Sequence, residues 1–122
     1  MAKSYRELVV WQKAIQLTVL VYRISSAFPR EEIYGLTSQI RRCAVSIPSN
    51  IAEGAGRLNT GEYQQFLGIA RGSHFELQTH LFIGRELGYG DAAQIAVAEA
   101  LSEEVGRMIF ATIRTLKESR EV

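Results

Sequence analysis

Two histidines and one cysteine are the most chemically versatile side chains in this 122-residue chain. His74 and His80 are six residues apart, so on one helix they point about 240° apart and cannot share a metal ion. Glu76 and His80 are four residues apart and would supply two ligands. The sequence offers no third ligand beside them, and we expect a surface pair. No metal or other cofactor is predicted.

His74 and Cys43 are both predicted to be structural. His74 falls on the apolar face of its helix and is expected to be partly buried and hydrogen-bonded to a neighbouring helix. Cys43 lies at the edge of an apolar helix face, where a buried, unreactive thiol is the usual outcome. The stretch Gly54-Ala55-Gly56 lacks the lysine and hydroxyl residue of a phosphate-binding loop. The sequence therefore predicts no enzymatic activity.

Arginine outnumbers lysine eleven to three, and a guanidinium makes two-pronged contacts with phosphate or carboxylate groups. Five arginines fall together on the predicted second and third helices: Arg41, Arg42, Arg57, Arg71 and Arg85. They have two interpretations, which are contacts to nucleic-acid phosphates and ion pairs between subunits with Glu53, Glu76 and Glu86. The formal net charge of +1 favours the ion pairs.

Polar side chains align along one side of the predicted second helix. This polar stripe consists of Gln39, Arg42, Ser46, Asn50, Glu53 and Arg57. One interpretation is a solvated face. The other is a set of ordered hydrogen bonds across an interface, because short neutral groups lie beside one acid and two arginines.

Four helices must position these residues. Breakers at Phe28-Pro29, Gly54-Ala55-Gly56 and Gly88-Tyr89-Gly90 divide the chain into four segments of helical periodicity. The predicted helices cover residues 5–27, 31–55, 60–87 and 92–119, in one domain spanning 1–122. Short connections predict an all-α, antiparallel up-down four-helix bundle. Capping signals at Ser4, Asn59 and Asp91 start three of the helices, and Pro48 is expected to kink the second.

Apolar spacing identifies the core faces of these helices. The second helix places Ile33, Leu36, Ile40, Ala44, Ile47 and Ile51 on one side. The fourth places Ile95, Ala98, Ser102, Val105, Ile109, Thr112 and Leu116 at alternating spacings of three and four, as in left-handed bundles.

The first and third helices carry more apolar surface than one core requires. On the first helix the apolar arc is about 200° wide, where a surface helix needs about 100°. The third helix has two glycines and two phenylalanines opposite its core face, although glycine costs about 1 kcal/mol relative to alanine. We predict a contact between copies of the chain through Trp11, Ile15, Tyr22, Gly68, Gly72, Phe75 and Phe82. The alternative is that long side chains and loops of the same chain cover these faces.

The single cysteine, Cys43, excludes an intrachain disulfide and suits a reducing compartment. The first residues are polar and lack the apolar run of a signal peptide. No apolar stretch is long enough to span a membrane. A cytoplasmic location with no membrane partner is therefore expected.

Several blocks of sequence add a resemblance to a known family. They are Leu8-Val9-Val10-Trp11-Gln12-Lys13-Ala14, Tyr34-Gly35-Leu36-Thr37-Ser38-Gln39-Ile40-Arg41-Arg42, Ser46-Ile47-Pro48-Ser49-Asn50-Ile51-Ala52-Glu53-Gly54 with Arg57, Ala70-Arg71-Gly72-Ser73 with Glu76-Leu77, and Leu87-Gly88-Tyr89. Over nearly its whole length the chain resembles the four-helix-bundle family encoded by intervening sequences in bacterial 23S rRNA genes. The resemblance implies a four-helix bundle, a five-fold ring as in related members, and a poorly defined role.

Some members of that family are accessory proteins of diversity-generating retroelements, which resemble basic barrels that bind a reverse transcriptase and nucleic acid. This chain differs by its near-zero charge, and by His74 and Phe75 where the family more often has an apolar and a small residue. The leading hypothesis is a non-enzymatic, homo-oligomeric structural or adaptor protein, a pentamer by resemblance. The alternative is a weak, sequence-indifferent RNA- or DNA-binding accessory protein. The expected partners are copies of the chain itself, and then RNA or a nucleic-acid enzyme.

Overall fold

The computed structural model describes residues 4–121, and the regular structure within this range is entirely helical. Four long helices pack against one another: α1 (Val9–Ser25), α2 (Leu36–Ala55), α3 (Thr60–Glu86) and α4 (Ala92–Glu121). Two short 3-10 helices, Tyr5–Glu7 and Arg30–Glu32, precede α1 and α2. The predicted all-α, four-helix class is confirmed. Pro48 lies inside α2, and the kink there stays a prediction.

Consecutive helices meet in reversed order along the chain. Hydrogen bonds join Thr18 to Ala44 and Tyr22 to Arg41 across α1 and α2, and join Gln64 to Ile113 and His74 to Ser102 across α3 and α4. In each pair of helices, the residue number rises on one helix as it falls on the other. This order is the one that short connections produce in an up-and-down bundle. Helix α1 also packs against α4.

The core runs between the four helices and follows their apolar spacing. On α4, Ile95, Ala98, Ser102, Val105 and Ile109 are all 0% exposed. The last two positions of the predicted α4 face, Thr112 and Leu116, are only partly buried.

The first helix is shorter than predicted. Ser4 and Glu7 form the expected capping box, but the box closes a single 3-10 turn instead of a long helix. Leu8 follows in an extended conformation, with φ −72° and ψ 124°, and α1 begins after it. Leu8 packs against the core, so the backbone changes direction at the residue that anchors it.

The second helix also begins later than predicted, at Leu36 instead of Glu31. The Glu32 carboxylate accepts a hydrogen bond from the Leu36 backbone N–H at 3.0 Å and caps α2. A Cβ at Gly35 would lie 2.6 Å from the same carboxylate oxygen, so only glycine leaves room for this cap. Ile33 precedes α2 and is 54% exposed, which corrects its predicted place on the core face.

The third and fourth helices begin where the capping signals predict. Asn59 Oδ1 accepts the Glu62 backbone N–H at 2.8 Å. Asp91 Oδ1 accepts the backbone N–H groups of Ala93 and Gln94 at 2.8 and 3.1 Å. These bonds satisfy end N–H groups that have no partner inside the helix.

Gly54 brings α2 and α3 into close contact. A Cβ at this position would lie 2.8 Å from Phe66 Cβ and 2.9 Å from Tyr63 Cδ1. The sequence interpretation treated Gly54 as a helix breaker, but it lies within α2 and is buried. Its function in the fold is to let the two backbones approach.

None of the helices in the described part of the chain combines the length and apolar character needed to cross a membrane.

Candidate contact face and the groups around it

The predicted contact residues of α3 lie exposed on its outer side. We call Gly68, Gly72, Phe75 and Phe82 the contact face. A Cβ at either glycine would meet no atom within 4 Å, and Phe75 and Phe82 are 50% and 52% exposed. Packing among the described residues therefore gives no reason for glycine at these two helical positions.

The predicted contact residues of α1 are partly covered by their own chain. The Trp11 ring meets the Tyr5 ring edge-on, with centroids 5.2 Å apart, and packs against the core. Ile15 is half-buried. Tyr22 is 42% exposed, and the Arg41 guanidinium lies 4.7 Å from its ring centroid. The excess apolar arc of α1 is thus explained in part by coverage within the chain.

Sequence analysis missed other exposed apolar side chains near the contact face. Ile69 on α3 is 52% exposed, and Phe110 on α4 is 43% exposed. The Arg71 guanidinium carbon lies 5.0 Å from the Phe110 ring centroid and 5.2 Å from the Phe75 ring centroid. Phe110 is therefore close to the contact face. The helical spacing of Phe110 puts it outside the α4 core face. This spacing could have identified Phe110 from the sequence as an exposed aromatic side chain.

The polar stripe divides into parts with different surroundings. In its middle, Ser46 Oγ lies 2.7 Å from Oγ of the buried Ser73 on α3, and Asn50 Nδ2 donates to the Ser46 carbonyl at 2.8 Å. At its N-terminal end, Gln39 and Arg42 are exposed and form no hydrogen bond or ion pair with the described residues. At its C-terminal end, Arg57 pairs with Glu53. The Ser46–Ser73 contact therefore joins α2 to α3 within one chain, while the Asn50 hydrogen bonds stay within α2.

Arg41 binds the end of α1. Its Nε donates to Ser25 Oγ at 2.7 Å, and its Nη2 donates to the Tyr22 carbonyl at 3.2 Å. A further hydrogen bond from Nη2 reaches Ser26 Oγ at 3.3 Å. These bonds satisfy groups at a helix C-terminus, where a cation is favoured.

The other predicted phosphate-binding arginines differ in how far they are engaged. Arg57 pairs with Glu53 at 3.0 Å and lies over the Phe66 ring. Arg85 pairs with Glu99 and lies over the Phe82 ring. Among the described residues, Arg71 contacts the Phe75 and Phe110 rings and forms no ion pair, and Arg42 is exposed. Phosphate binding by this group stays a prediction.

The structure brings Cys43, His80 and Glu76 together. Cys43 Sγ lies 4.0 Å from His80 Nδ1, and His80 Nε2 lies 3.9 Å from the Glu76 carboxylate. The expectation that His80 and Glu76 form a surface pair is wrong for the histidine, since His80 is 8% exposed. The helical wheel missed this because α2 covers that side of α3.

These three residues are of the types found in a cysteine–histidine catalytic site, but the thiol is neither ionised nor accessible. Nucleophilic catalysis needs a thiolate beside a base. Burial, with a contribution from Glu76, raises the pKa of Cys43 to about 12, and the thiol is 3% exposed. The thiol also donates to the Ile40 carbonyl at 3.3 Å. Cys43 is therefore buried, as the sequence predicted, and its raised pKa disfavours the thiolate.

His74 occupies the predicted position on the core face of α3. It is 5% exposed, and its Nδ1 lies 2.8 Å from Oγ of Ser102 on α4. Burial, with the positive charge of Arg71, lowers the pKa of His74, while Glu103 opposes the shift. The prediction of a buried histidine bonded to a neighbouring helix is confirmed.

We expect the protein to lose stability as the pH falls from about 7 to about 5.5. Burial lowers the pKa of both His74 and His80 below the ordinary value, with Glu76 opposing the shift at His80. The unfolded chain therefore takes up protons at a pH where the folded chain stays neutral, so acid favours unfolding. Urea unfolding at the two pH values measures the change. A His74→Asn/His80→Asn variant should show a shallower dependence, and an equally steep one would contradict this assignment.

No group of three or more His, Cys, Asp or Glu side chains in the described part of the chain is arranged to hold a metal ion. The arrangement that stands out is instead a four-helix bundle with an exposed glycine–aromatic face on α3. The class defined by this fold is a four-helix bundle, and the comparison with known protein families places the chain more narrowly.

The chain belongs to the 23S rRNA-intervening sequence protein family, whose sequence profile matches residues 6–111. The match includes every residue of the contact face and confirms the resemblance recognised from the sequence blocks. No curated protein matches the chain.

Proposed function

We propose that the protein is a non-enzymatic, homo-oligomeric structural or adaptor protein that assembles through the contact face of α3. The observation that carries this proposal is the open space over Gly68 and Gly72, flanked by the half-exposed rings of Phe75 and Phe82. Two glycines in the middle of a helix cost about 1 kcal/mol each relative to alanine. A second backbone lying against them would offset that cost.

The surroundings of the face favour a second copy of the chain as the occupant. Apolar rings beside glycines provide the close, water-excluding contact found at the centre of subunit interfaces. Arg71 and Arg85 lie against these rings, and arginine is enriched at such contacts. Membership of the family adds the expectation of a ring, which the resemblance put at five subunits.

The native mass of the particle tests this proposal. Light scattering of the full chain at about micromolar concentration should give a whole multiple of the chain mass, with five as the expected number. Closed rings keep one mass over a range of concentrations, whereas open chains of subunits grow with concentration. A single-chain mass at this concentration would contradict assembly.

The alternative function, weak and sequence-indifferent binding of RNA or DNA, has less support. Phosphate contacts need cations that are free to meet a polyanion. Arg41, Arg57 and Arg85 are engaged within the chain, and the formal net charge is only +1. Nucleic acid binding is therefore kept as a second hypothesis, resting on Arg42 and Arg71.

A further inference from the structure

A pocket with a volume of about 370 Å³ opens between α3 and α4. Its lining includes Arg71, His74, Phe75, Glu103, Arg107 and Phe110. The volume lies within the range of about 300–1,000 Å³ that is typical of small-molecule sites. The lining combines two aromatic rings, two guanidinium groups and a buried imidazole. The proposed assembly uses Phe75 and Arg71 but gives no function to His74, Arg107 or Phe110.

Arg71 is held in this pocket without being neutralised. Its guanidinium carbon lies 5.2 Å from the Phe75 centroid and 5.0 Å from the Phe110 centroid. Cation–π contact orients the guanidinium but leaves its N–H donors available. Arg71 forms no ion pair with the described residues. An oriented guanidinium of this kind is prepared for the two oxygens of a carboxylate.

His74 provides a second donor at the buried side of the pocket. Ser102 is 0% exposed, and among the described residues its hydroxyl has one hydrogen-bond partner, His74 Nδ1 at 2.8 Å. Donation of the hydroxyl proton to Nδ1 is the arrangement that gives this buried proton an acceptor. In the neutral imidazole this leaves the ring proton on Nε2. Since burial lowers the pKa of His74, the neutral ring is the form present near neutral pH.

Gly106 lets the His74 ring lie directly against α4. A Cβ at position 106 would lie 2.4 Å from His74 Nε2. In the described part of the chain Nε2 has no hydrogen-bond acceptor, although the ring is 5% exposed. Among the fully buried side-chain N and O atoms of the described residues, only Thr37 Oγ1 lacks a hydrogen-bond partner. Nε2 is therefore not fully enclosed, and a ligand oxygen that reaches it from the pocket would accept its hydrogen bond.

We propose that this pocket binds a small organic carboxylate, whose oxygens accept hydrogen bonds from Arg71 and His74 and whose apolar part contacts Phe75 and Phe110. Arg107 adds a second positive charge to the lining. Glu103 is the one acidic group of the lining and opposes the ligand's charge. Every group in the site belongs to one chain, but Phe75 is part of the contact face and Arg71 lies against its ring. Ligand binding and assembly are therefore measured separately.

Fluorine NMR with 4-fluorobenzoate as the probe tests the site on the full chain, and 4-fluorobenzamide is the neutral control of the same shape. Saturable line broadening of the benzoate is expected, with a dissociation constant about tenfold or more below that of the amide, because its hydrogen bonds are charge-assisted. Equal binding of the two probes, or no binding of the benzoate, would overturn the proposal.

Charge variants locate the binding. Arg71→Gln should raise the dissociation constant of the benzoate about tenfold, whereas Glu103→Gln should lower it severalfold by removing an opposing charge. Arg114→Gln is the control, since Arg114 lies on α4 beside Glu118 and outside this pocket. If Arg71→Gln and Arg114→Gln behave alike, the site is wrong.

The native mass of each variant distinguishes a free ligand from a neighbouring subunit. A small carboxylate ligand predicts that the wild-type chain binds benzoate and that Arg71→Gln weakens this binding, whatever the native mass of the variant. If Arg71→Gln lowers the mass and the wild-type chain binds no benzoate, an acidic side chain of a second copy occupies the pocket. That result would overturn the small-molecule proposal and leave the proposed assembly standing.

Discussion

Phe82→Glu is expected to break the assembly, raising the dissociation constant between copies about a hundredfold or more. Phe82 is 52% exposed in the isolated chain, so the fold tolerates a polar side chain at this position. In the proposed contact the new carboxylate would lose its water. A buried charge without a partner costs several kcal/mol.

The neighbouring arginine does not remove this cost. Arg85 lies 5.6 Å from the Phe82 ring centroid and is one turn away on the same helix. It is already paired with Glu99 on α4. The new carboxylate would compete for a cation that has a partner, and one of the two acids would be left with a weaker contact.

Leu58→Glu is the matched control for this substitution. Leu58 lies in the connection between α2 and α3, is 101% exposed and is outside the contact face. Light scattering should find the wild-type mass for Leu58→Glu and a smaller particle for Phe82→Glu, with circular dichroism showing full helix content in both. An unchanged mass for Phe82→Glu would refute the choice of face, while assembly itself would stand on the wild-type measurement.

Local chemistry made the starts of α3 and α4 predictable. Asn59 and Asp91 cap backbone N–H groups two or three residues ahead of them, so the bond partners lie within the pattern that the sequence displays. The same holds for the α4 core face, where Ile95, Val105 and Ile109 are fully buried. Periodicity predicts such positions because a helix fixes which residues share a side.

The start of α2 was not predictable in this way. Its cap, Glu32, lies in a region that the sequence predicted to be part of the helix itself. Glu32 caps Leu36 from a preceding 3-10 turn. Its second oxygen accepts a hydrogen bond from the Tyr89 hydroxyl at 3.2 Å, from the connection between α3 and α4. Residues so far apart in the chain meet only because the helices pack, and periodicity does not contain that information.

The groups around the candidate site differ in the same way: features set by one helix were predictable, and features set by packing between helices were not. His74 was predicted to be buried because its own helix places it on the core face, and it is. His80 was expected at the surface, but α2 covers it and brings Cys43 to 4.0 Å. The engagement of Arg71 by Phe75 and Phe110 joins two helices. Such contacts depend on which faces meet, which a single helical wheel does not determine.

Gly106→Ala is expected to reduce the free energy of unfolding by about 3 kcal/mol. The new Cβ would lie 2.4 Å from His74 Nε2, 2.7 Å from Cε1 and 2.8 Å from Cδ2. Three close contacts to one rigid ring force His74 to move. Its hydrogen bond to the fully buried Ser102 would then be lost. An unsatisfied buried hydroxyl adds about 1–3 kcal/mol to the cost of overpacking, which exceeds the helix propensity gained from alanine.

Gly72→Ala is the matched control, because its Cβ would meet nothing within 4 Å. Within one chain this change should raise stability by up to about 1 kcal/mol, the difference in helix propensity. Urea unfolding of both variants at low protein concentration measures these opposite effects. If Gly106→Ala is as stable as the wild type, the close packing of His74 on α4 is wrong.

In the assembly, the methyl group of Gly72→Ala would separate the two backbones at the contact face. We therefore expect Gly72→Ala to combine a more stable chain with a smaller native mass, and a stable chain of unchanged mass would exclude Gly72 from the contact.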